Sequence, residues 1–594
     1  MTHATVLNLP AWLRPFGPAL ASTRGYTTGK FRRDLVAGLT VSVVELPQAM
    51  AYALIAGVPP QYGIYSSIIQ GVLGALLSSS DHLTTGPTNT QSLLIASAVR
   101  PLVAPDVRPE VYLALVFLLT VMKGLVQLTL WGLRAGELVQ FISRSVLVGV
   151  SAGAGVLIIV GQAGPLIGVH AASVSSLPGV LGSIVSLSHA AGEVNWRAVA
   201  IAAGVIACCL LGRRLGRFVP GPLISVIAAS VAVAVLGWAD RVPVLGALPQ
   251  TLPHLQLPGT GGLPWDVLYT LLPGAIALAL LGGIESVAIA KTIAARSGEC
   301  IVANQEFFAQ GFKNTVTGFF QCIPGSASFT RSMLDYDAGA ATRWAAVMNA
   351  AFVGVLYFAL ADFARYLPLA ALAGVLVVIA VRLIDVAFLR RLARADRSDA
   401  FVLVVTFLAV LLSRLEFAIF VGIFVSIAFY LRTSSRLHIA EMEQTAGGAF
   451  VERAVYDRAG ERRVAFLQLE GELFFAIADQ LQDRLAAVRA GGVRVIILRL
   501  KRCHSIDGTV LDVLDRFAVD TRRSAGHVLL CGVRPEVMKT IQNYGLDRTI
   551  GRENIFAAES TLFSGARKAL DRARDLLGHS IDTAELEGEF AYAI

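Results

Sequence analysis

The stretch CIPGSASFTRS, residues 322–332, sets Pro324, Gly325, four hydroxyl side chains and Arg331 inside a portion of the chain whose neighbours are strongly apolar. A proline cannot continue a helix, and a glycine lets other backbone approach closely. Residues 327–337 therefore read as a short helix that begins within the membrane. A second stretch of the same chemistry, LTTGPTNTQSLL at 83–94, opens a second short helix at 88–99. Each helix start leaves backbone N–H groups without intrahelical partners and carries partial positive charge, so it attracts anions. Two starts that face each other make a concentrated site, to which Thr84, Thr85, Thr88, Ser326, Ser328 and Thr330 add hydroxyls. The alternative is a pair of helix kinks patched by Ser and Thr. Matching positions in two halves of the chain favour the anion site.

Those halves emerge on counting outward. Among 594 residues, 55% are hydrophobic and 15% charged, and the mean hydropathy is +0.64, the profile of a polytopic membrane protein rather than a soluble enzyme. A span needs roughly 20 apolar residues. On that ruler, spans fall near 34–56, 63–79, 110–131, 140–162, 197–212 and 219–238, and again near 267–291, 304–321, 343–362, 366–382, 398–413 and 415–433. With the two short helices the total is fourteen, and each short helix is third in its set of seven. Two odd-numbered halves lie inverted in the membrane. The cations Arg32, Arg33, Arg134, Arg144, Arg213, Arg214, Arg390, Arg391 and Arg394 gather on one side, which predicts a cytoplasmic N terminus and tail. The net charge of +8 is spread over loops, a sign of membrane orientation before nucleic-acid binding. The six scattered cysteines show no metal-ligand spacing or disulfide framework, and residues 1–30 lack the pattern of a cleaved signal peptide.

Ionisable residues inside spans are functional candidates. Arg331 either contributes charge to the anion site or pairs with Glu285. Glu285, in LLGGIESVAIAK (280–291), could carry a coupling proton, help hold a cation, or neutralise Arg331. In VELPQAMAYALIAGVPPQYGIYSS (44–67), Pro47 is an expected unwinding point, and Gln48 and Tyr52 share a helix face as binding or packing residues. Glu45 is either a site residue or a carboxylate in an inter-helix network.

After residue 433 the charge rises. Residues 462–476, 493–500 and 527–533 read as strands and 479–490 as an amphipathic helix, hence a small α/β domain. The chain divides as an N-terminal segment 1–32, a transport domain 33–433, the α/β domain 438–580 and a tail 581–594.

In order and spacing, DLVAGLTVSVVELPQAMAYALIAGVPPQYGIYSS (34–67), GPTNTQS (86–92), GGIESVAIAK (282–291), NQEFFAQGFKN (304–314) and IPGSASFTRS (323–332) resemble the sulfate permease family of anion transporters. The α/β domain, through HSIDGTVLDVLDRF (504–517), resembles the STAS domain of those proteins. The resemblance implies a uracil-transporter-like fold, with a core of segments 1–4 and 8–11 and a gate of segments 5–7 and 12–14. It implies an elevator-like displacement of the core, and homodimers. It also implies substrate contacts at Gln48, Tyr52, Phe329, Thr330 and Arg331, beside the Thr88 and Ser328 hydroxyls read from the half-helix starts, with coupling to H⁺ or Na⁺ at Glu285 and no other cofactor. Thr509 falls where free-standing relatives are phosphorylated, although an ordinary helix-start threonine fits there too. Asp81 and Glu472 depart from residues common in the family. The expected function is secondary transport of sulfate, bicarbonate or a dicarboxylate across the cytoplasmic membrane. Anion exchange or channel-like conduction is the alternative mode, and an anion-sensing receptor with the STAS domain as output is the alternative class.

Overall fold

The computed structural model describes residues 16–18, 25–103, 109–134, 136–137, 143–169, 194–215, 221–257, 266–395, 397–435, 437–444, 450–453, 463–559 and 564–578. The expected tail 581–594 and most of the segment 1–32 lie outside the described residues. The chain forms two compact units, Met1–Ala428 and Phe429–Ile594.

In the first unit the fourteen expected segments appear as α1 (Thr28–Ile55), α2 (Pro60–Leu77), α3 (Asn89–Val99), α4 (Pro109–Gly132), α5 (Arg144–Gly161), α6 (Trp196–Leu215), α7 (Gly221–Val235), α8 (Asp266–Ser297), α9 (Ala303–Thr317), α10 (Phe329–Asp337), α11 (Trp344–Leu360), α12 (Leu369–Leu383), α13 (Arg397–Leu412) and α14 (Leu415–Ser434). Local chemistry sets their ends. The Thr27 side chain accepts from the Lys30 N–H at the start of α1, Pro60 opens α2 where its missing donor is harmless, and Ser143 caps α5.

Two expectations need correction. Helix α1 runs unbroken through Pro47 instead of unwinding there. The proline removes one backbone hydrogen bond, and a helix whose second half is almost entirely buried tolerates that loss. Between α12 and α13, where the arginines read as loop charge, residues Val386–Ala395 form a helix with Phe388, Leu389 and Leu392 on one side and Arg390, Arg391 and Arg394 on the other.

Packing separates the helices into the two expected groups. Helix α4 lies on α8 and α9, and α11 lies on α1 and α2; α5 lies on α12 and α13, and α6 lies on α7 and α12. Small residues permit close crossings. A Cβ on Gly311 of α9 would stand 2.8 Å from the Leu128 nitrogen of α4, and one on Gly124 would run into Thr315. Where the chain breaks before α3 and α10, the backbone pairs with itself: β1 (Thr85–Gly86) runs antiparallel to β2 (Ser326–Ala327), with Thr85 opposite Ala327 and Gly86 opposite Ser326.

The second unit is a six-stranded sheet of order β4-β3-β5-β6-β7-β8, formed by β3 (His438–Gln444), β4 (Phe450–Arg453), β5 (Val464–Leu473), β6 (Val495–Ile506), β7 (His527–Val533) and β8 (Ile555–Ala557). Strands β5 to β8 are parallel, and β3 and β4 form an antiparallel edge. The run VIIL in β6 is buried on both faces. Ile496 and Leu498 pack toward α15 (Ala478–Ala490), α16 (Gly508–Arg523) and α17 (Pro535–Tyr544), while Val495 and Ile497 pack toward α18 (Ser564–Leu577). The β3–β4 edge and β8 had not been expected from the sequence.

Candidate functional site

The irregular backbone before α10 is held on every side. Ile323 donates to Ser66 Oγ (2.9 Å) and its carbonyl accepts from Gln70 (2.7 Å). Gly325 donates to Asn314 Oδ1 (3.1 Å), and Ala327 donates to Ser286 Oγ (3.2 Å). Non-helical backbone persists at this depth because α2, α8 and α9 supply these partners. The two breaks also lock together beyond the β1–β2 pair: Ser328 donates to the Thr84 carbonyl (3.0 Å), and Thr84 donates to Ser332 Oγ (2.9 Å). Gly325 has to be a glycine, since a Cβ there would collide with Gln70 and stand 2.5 Å from the Gly86 carbonyl oxygen.

Both half-helices begin on a hydroxyl residue, Thr88 for α3 and Ser328 for α10, and neither side chain caps its own helix. Thr88 Oγ1 instead faces Ser326 Oγ at 3.3 Å. Asn89 Oδ1 accepts from the Thr90 N–H at 2.8 Å, so the α3 start is partly satisfied from within. Every residue from Gln321 to Ser328 is buried, yet Phe329 is 50% exposed and Thr330 is exposed as well. The start of α10 therefore opens to free space, and the start of α3 is closed.

Arg331 lies elsewhere. It is 0% exposed, forms an ion pair with Glu45 of α1, and donates from Nη2 to the Pro87 carbonyl (3.0 Å). Asn349 of α11 donates to the other Glu45 oxygen at 2.6 Å. The partner of Arg331 is thus Glu45 and not Glu285, which corrects the pairing weighed above and bears out the inter-helix network at Glu45. A Cβ on Gly86 would come within 3.2 Å of Glu45 Oε1, so this glycine leaves room for the ion pair beneath the first break.

Glu285 of α8 is half-buried, accepts from Ser326 Oγ at 3.4 Å and stands in electrostatic reach of Lys123. Gln48 is buried with its side-chain oxygen unpartnered. Tyr52 is buried with Ala51 and Ile55 against Ile158 of α5 and Leu376 and Ala380 of α12, between the two helix groups. Asp81 pairs with Arg343 at 2.8 Å, and Arg343 also donates to the Ser78 carbonyl beyond the end of α2. Thr509 is the exposed second residue of α16, whose cap is Asp507, accepting from Val510 at 2.9 Å. Glu472 is exposed within β5.

Sequence reasoning passed over Lys123 and Lys313. Both are 0% exposed, in α4 and α9. Lys123 Nζ donates to Gln91 Oε1 (2.6 Å) and the Gly325 carbonyl (2.7 Å), and Lys313 Nζ donates to Gln310 Oε1 (2.6 Å). A lone lysine in the apolar run VFLLTVMKGLVQ (116–127) was the available signal.

Similarity to known proteins follows the same lines. The sulfate permease family profile matches residues 31–406, and the STAS domain profile matches residues 457–562. A probable sulfate transporter of Mycobacterium tuberculosis (strain CDC 1551 / Oshkosh) is 30% identical over 562 residues, covering 93% of this chain and 98% of the relative. A putative sulfate transporter of Bacillus subtilis (strain 168) is 27% identical over 538 residues, covering 90% and 97%. The murine Slc26a9 anion transporter, solved in the inward-facing state, superposes with a TM-score of 0.85 at 19% identity over 96% of this chain and 95% of that one. The transmembrane domain of the cyanobacterium bicarbonate transporter BicA superposes with a TM-score of 0.58 at 22% identity, over 68% of this chain and 98% of that one.

Proposed function

The chain belongs to the sulfate permease family, and from that premise we propose that it is a secondary transporter, moving a small anion of the sulfate, bicarbonate or dicarboxylate class across the cytoplasmic membrane together with H⁺ or Na⁺. The observation that carries this reading is the pair of opposed half-helix starts, locked as β1–β2, of which the α10 start alone opens to free space. An anion there takes the backbone N–H groups of the first turn of α10 and the hydroxyls of Ser328, Thr330 and Thr88. Gln48 adds its amide N–H₂. Tyr52 and Phe329 bound the site with aromatic surface. Arg331, spent on Glu45, positions α10 against α1 and the Pro87 carbonyl, so the direct ligands are backbone and hydroxyl donors.

Glu285 faces the same region and is half-buried rather than sealed in an ion pair, which suits a group that takes up and releases a proton or a cation. Around Tyr52 the two helix groups meet through aliphatic side chains, while Ser97 of α3 donates to Glu416 of α14 at 2.7 Å. Aliphatic contact of this kind supports an elevator-like movement of α1–α4 and α8–α11 against the rest, with the Ser97–Glu416 hydrogen bond as a contact that such a movement breaks. The positive-inside bias supports a cytoplasmic N terminus and STAS domain. The family resemblance supports a homodimer, and exposed Thr509 is a candidate regulatory position.

Uptake of radiolabelled sulfate, bicarbonate and succinate into proteoliposomes tests the reading. Accumulation driven by an imposed H⁺ or Na⁺ gradient is expected. Flux that needs anion inside and ignores the gradients would make the protein an exchanger. Binding without any flux would make it a receptor.

A further inference from the structure

The two buried clusters around the breaks repeat each other. Helix α8 is the counterpart of α1 in the second half, α10 of α3, and α11 of α4. In one cluster, the carboxylate of Glu45 on α1 meets Arg331, the third residue of half-helix α10, and Asn349 on α11. In the other, Glu285 on α8 lies with Gln91, the third residue of half-helix α3, and Lys123 on α4. The carboxylates and the α11 and α4 residues all sit about ten residues before the ends of their helices. Each cluster holds one carboxylate, one amide and one cation. The cation sits on the half-helix in the first, and on the full-length helix in the second.

Lys123 reaches Gln91 Oε1 at 2.6 Å and the Gly325 carbonyl at 2.7 Å, so one ammonium group ties half-helix α3 to the break before α10. A Cβ on Gly282, one turn before Glu285 on α8, would lie 3.2 Å from Lys123 Nζ, which fixes how closely α8 approaches this lysine. Lys313, the other buried lysine nearby, is held by Gln310 with Glu306 in electrostatic reach. Glu306 is itself bonded to Ser78 and Ser79. Arg331 is paired with Glu45, and its Nε is buried without a hydrogen-bond partner.

We propose that Lys123 is the positioning residue that ties the two breaks together, and that its charge, balanced by Glu285, sets how strongly the site holds an anion. The inference rests on the anion-site reading above. With both groups charged they cancel. Neutralising Glu285 leaves Lys123 in excess and favours the anion, while neutralising Lys123 leaves Glu285 in excess and repels it. At a separation of roughly 10–12 Å and an effective dielectric constant of about 20, one uncompensated charge changes affinity by about tenfold.

The test uses full-length protein in detergent at one fixed pH near neutrality, with sulfate, bicarbonate and succinate as separate probes, for Lys123→Met, Glu285→Gln and the double variant. Lys123→Met is expected to weaken binding about tenfold. Glu285→Gln binds at least as tightly as the wild type, and the double variant returns to within a few-fold of it. A structural strut alone would leave the double variant as weak as Lys123→Met, which overturns the charge role, as does wild-type affinity in Lys123→Met. Melting temperatures without anion provide an arm independent of binding. The double variant should be more stable than Lys123→Met, and additive losses, or a double variant that fails to fold alongside the single, overturn the proposal. If the wild type binds none of the three probes, the anion reading falls, and the melting arm still decides whether Lys123 and Glu285 are coupled.

Discussion

The two units differ in what they bury besides apolar side chains. Inside Met1–Ala428 lie Arg331, Lys123, Lys313, Glu45 and Glu306, each 0% exposed, while Leu210, Leu211, Val235 and Phe424 face outward. Inside the STAS unit lie Ile496, Leu498, Leu530 and Val533, and its charges are mostly on the surface, with Arg499 and Asp547 the buried charged residues among those described. Lipid solvates apolar side chains, so the membrane unit gains little by burying them and can devote its interior to polar networks. Water does not, so the STAS unit needs an apolar core. The membrane unit should therefore break when a charge loses its partner, and the STAS unit when a methyl group loses its neighbours.

Glu285→Gln should give the largest effect on function: gradient-driven accumulation in proteoliposomes is abolished while anion binding persists. Unchanged accumulation would remove Glu285 from the coupling step. Next comes Arg331→Met, which strands Glu45 in a buried site and should cost about 3–5 kcal/mol of stability. Adding Glu45→Gln should recover most of that loss in a thermal melt, and no recovery would show that the pair is not what holds α1 to α10. In the STAS unit, Leu498→Ala should cost about 2–5 kcal/mol through the cavity it leaves. Hydrogen exchange should show this as faster exchange across β5–β7, with the membrane helices unchanged.

Smaller effects sharpen the contrast. Burial pushes the Cys503 and Cys531 thiols up to about 12, so both should resist alkylation near neutral pH, whereas exposed Cys300 should react. Mass spectrometry of the labelled native chain checks this. His82, in the turn between α2 and β1, sits 3.1 Å from Glu299 and 3.7 Å from Asp335. Burial opposes its charging, but the neighbouring carboxylates of Asp335, Glu299 and Asp81 outweigh it and raise its pKa above the ordinary 6.5. A raised folded-state pKa gives stability that is present in full below the unfolded value and lost as pH climbs through the folded value. Melting temperature should therefore fall slightly between about pH 6 and about pH 8, and His82→Gln should flatten that slope.

Hydropathy over a full span and proline–glycine punctuation are local signals, and they marked all fourteen segments, including the two that do not cross. Pairing is not local. Glu45 and Arg331 are 286 positions apart, and nothing in VELPQ or FTRS names the other. Separation along the chain likewise hid Lys123 from Glu285. Lys123 was legible as a charge in an apolar run, but its role depends on Gln91 and the Gly325 carbonyl, from two other stretches of chain. The helix Val386–Ala395 was missed for a different reason: its arginines fall on one face only once the backbone is helical, and in the linear sequence they read as loop charge. In the STAS unit the buried strands β5, β6 and β7 stood out as apolar runs, while the short edge strands carry no such run.

The β1–β2 ladder relates the halves of the first unit as two subunits of a symmetric dimer would be related, yet both strands belong to one polypeptide. Two identical subunits would have to present the same side chain at position three of each half-helix: two arginines, each with its own carboxylate, or two glutamines, each with its own lysine. Joining the copies in a single chain frees each to diverge, so Arg331 and Gln91 occupy corresponding places, one paired with an acid and the other bonded to a lysine. A molecule of this kind can keep one half as a fixed brace and leave the other adjustable, a division of labour that strict twofold symmetry forbids.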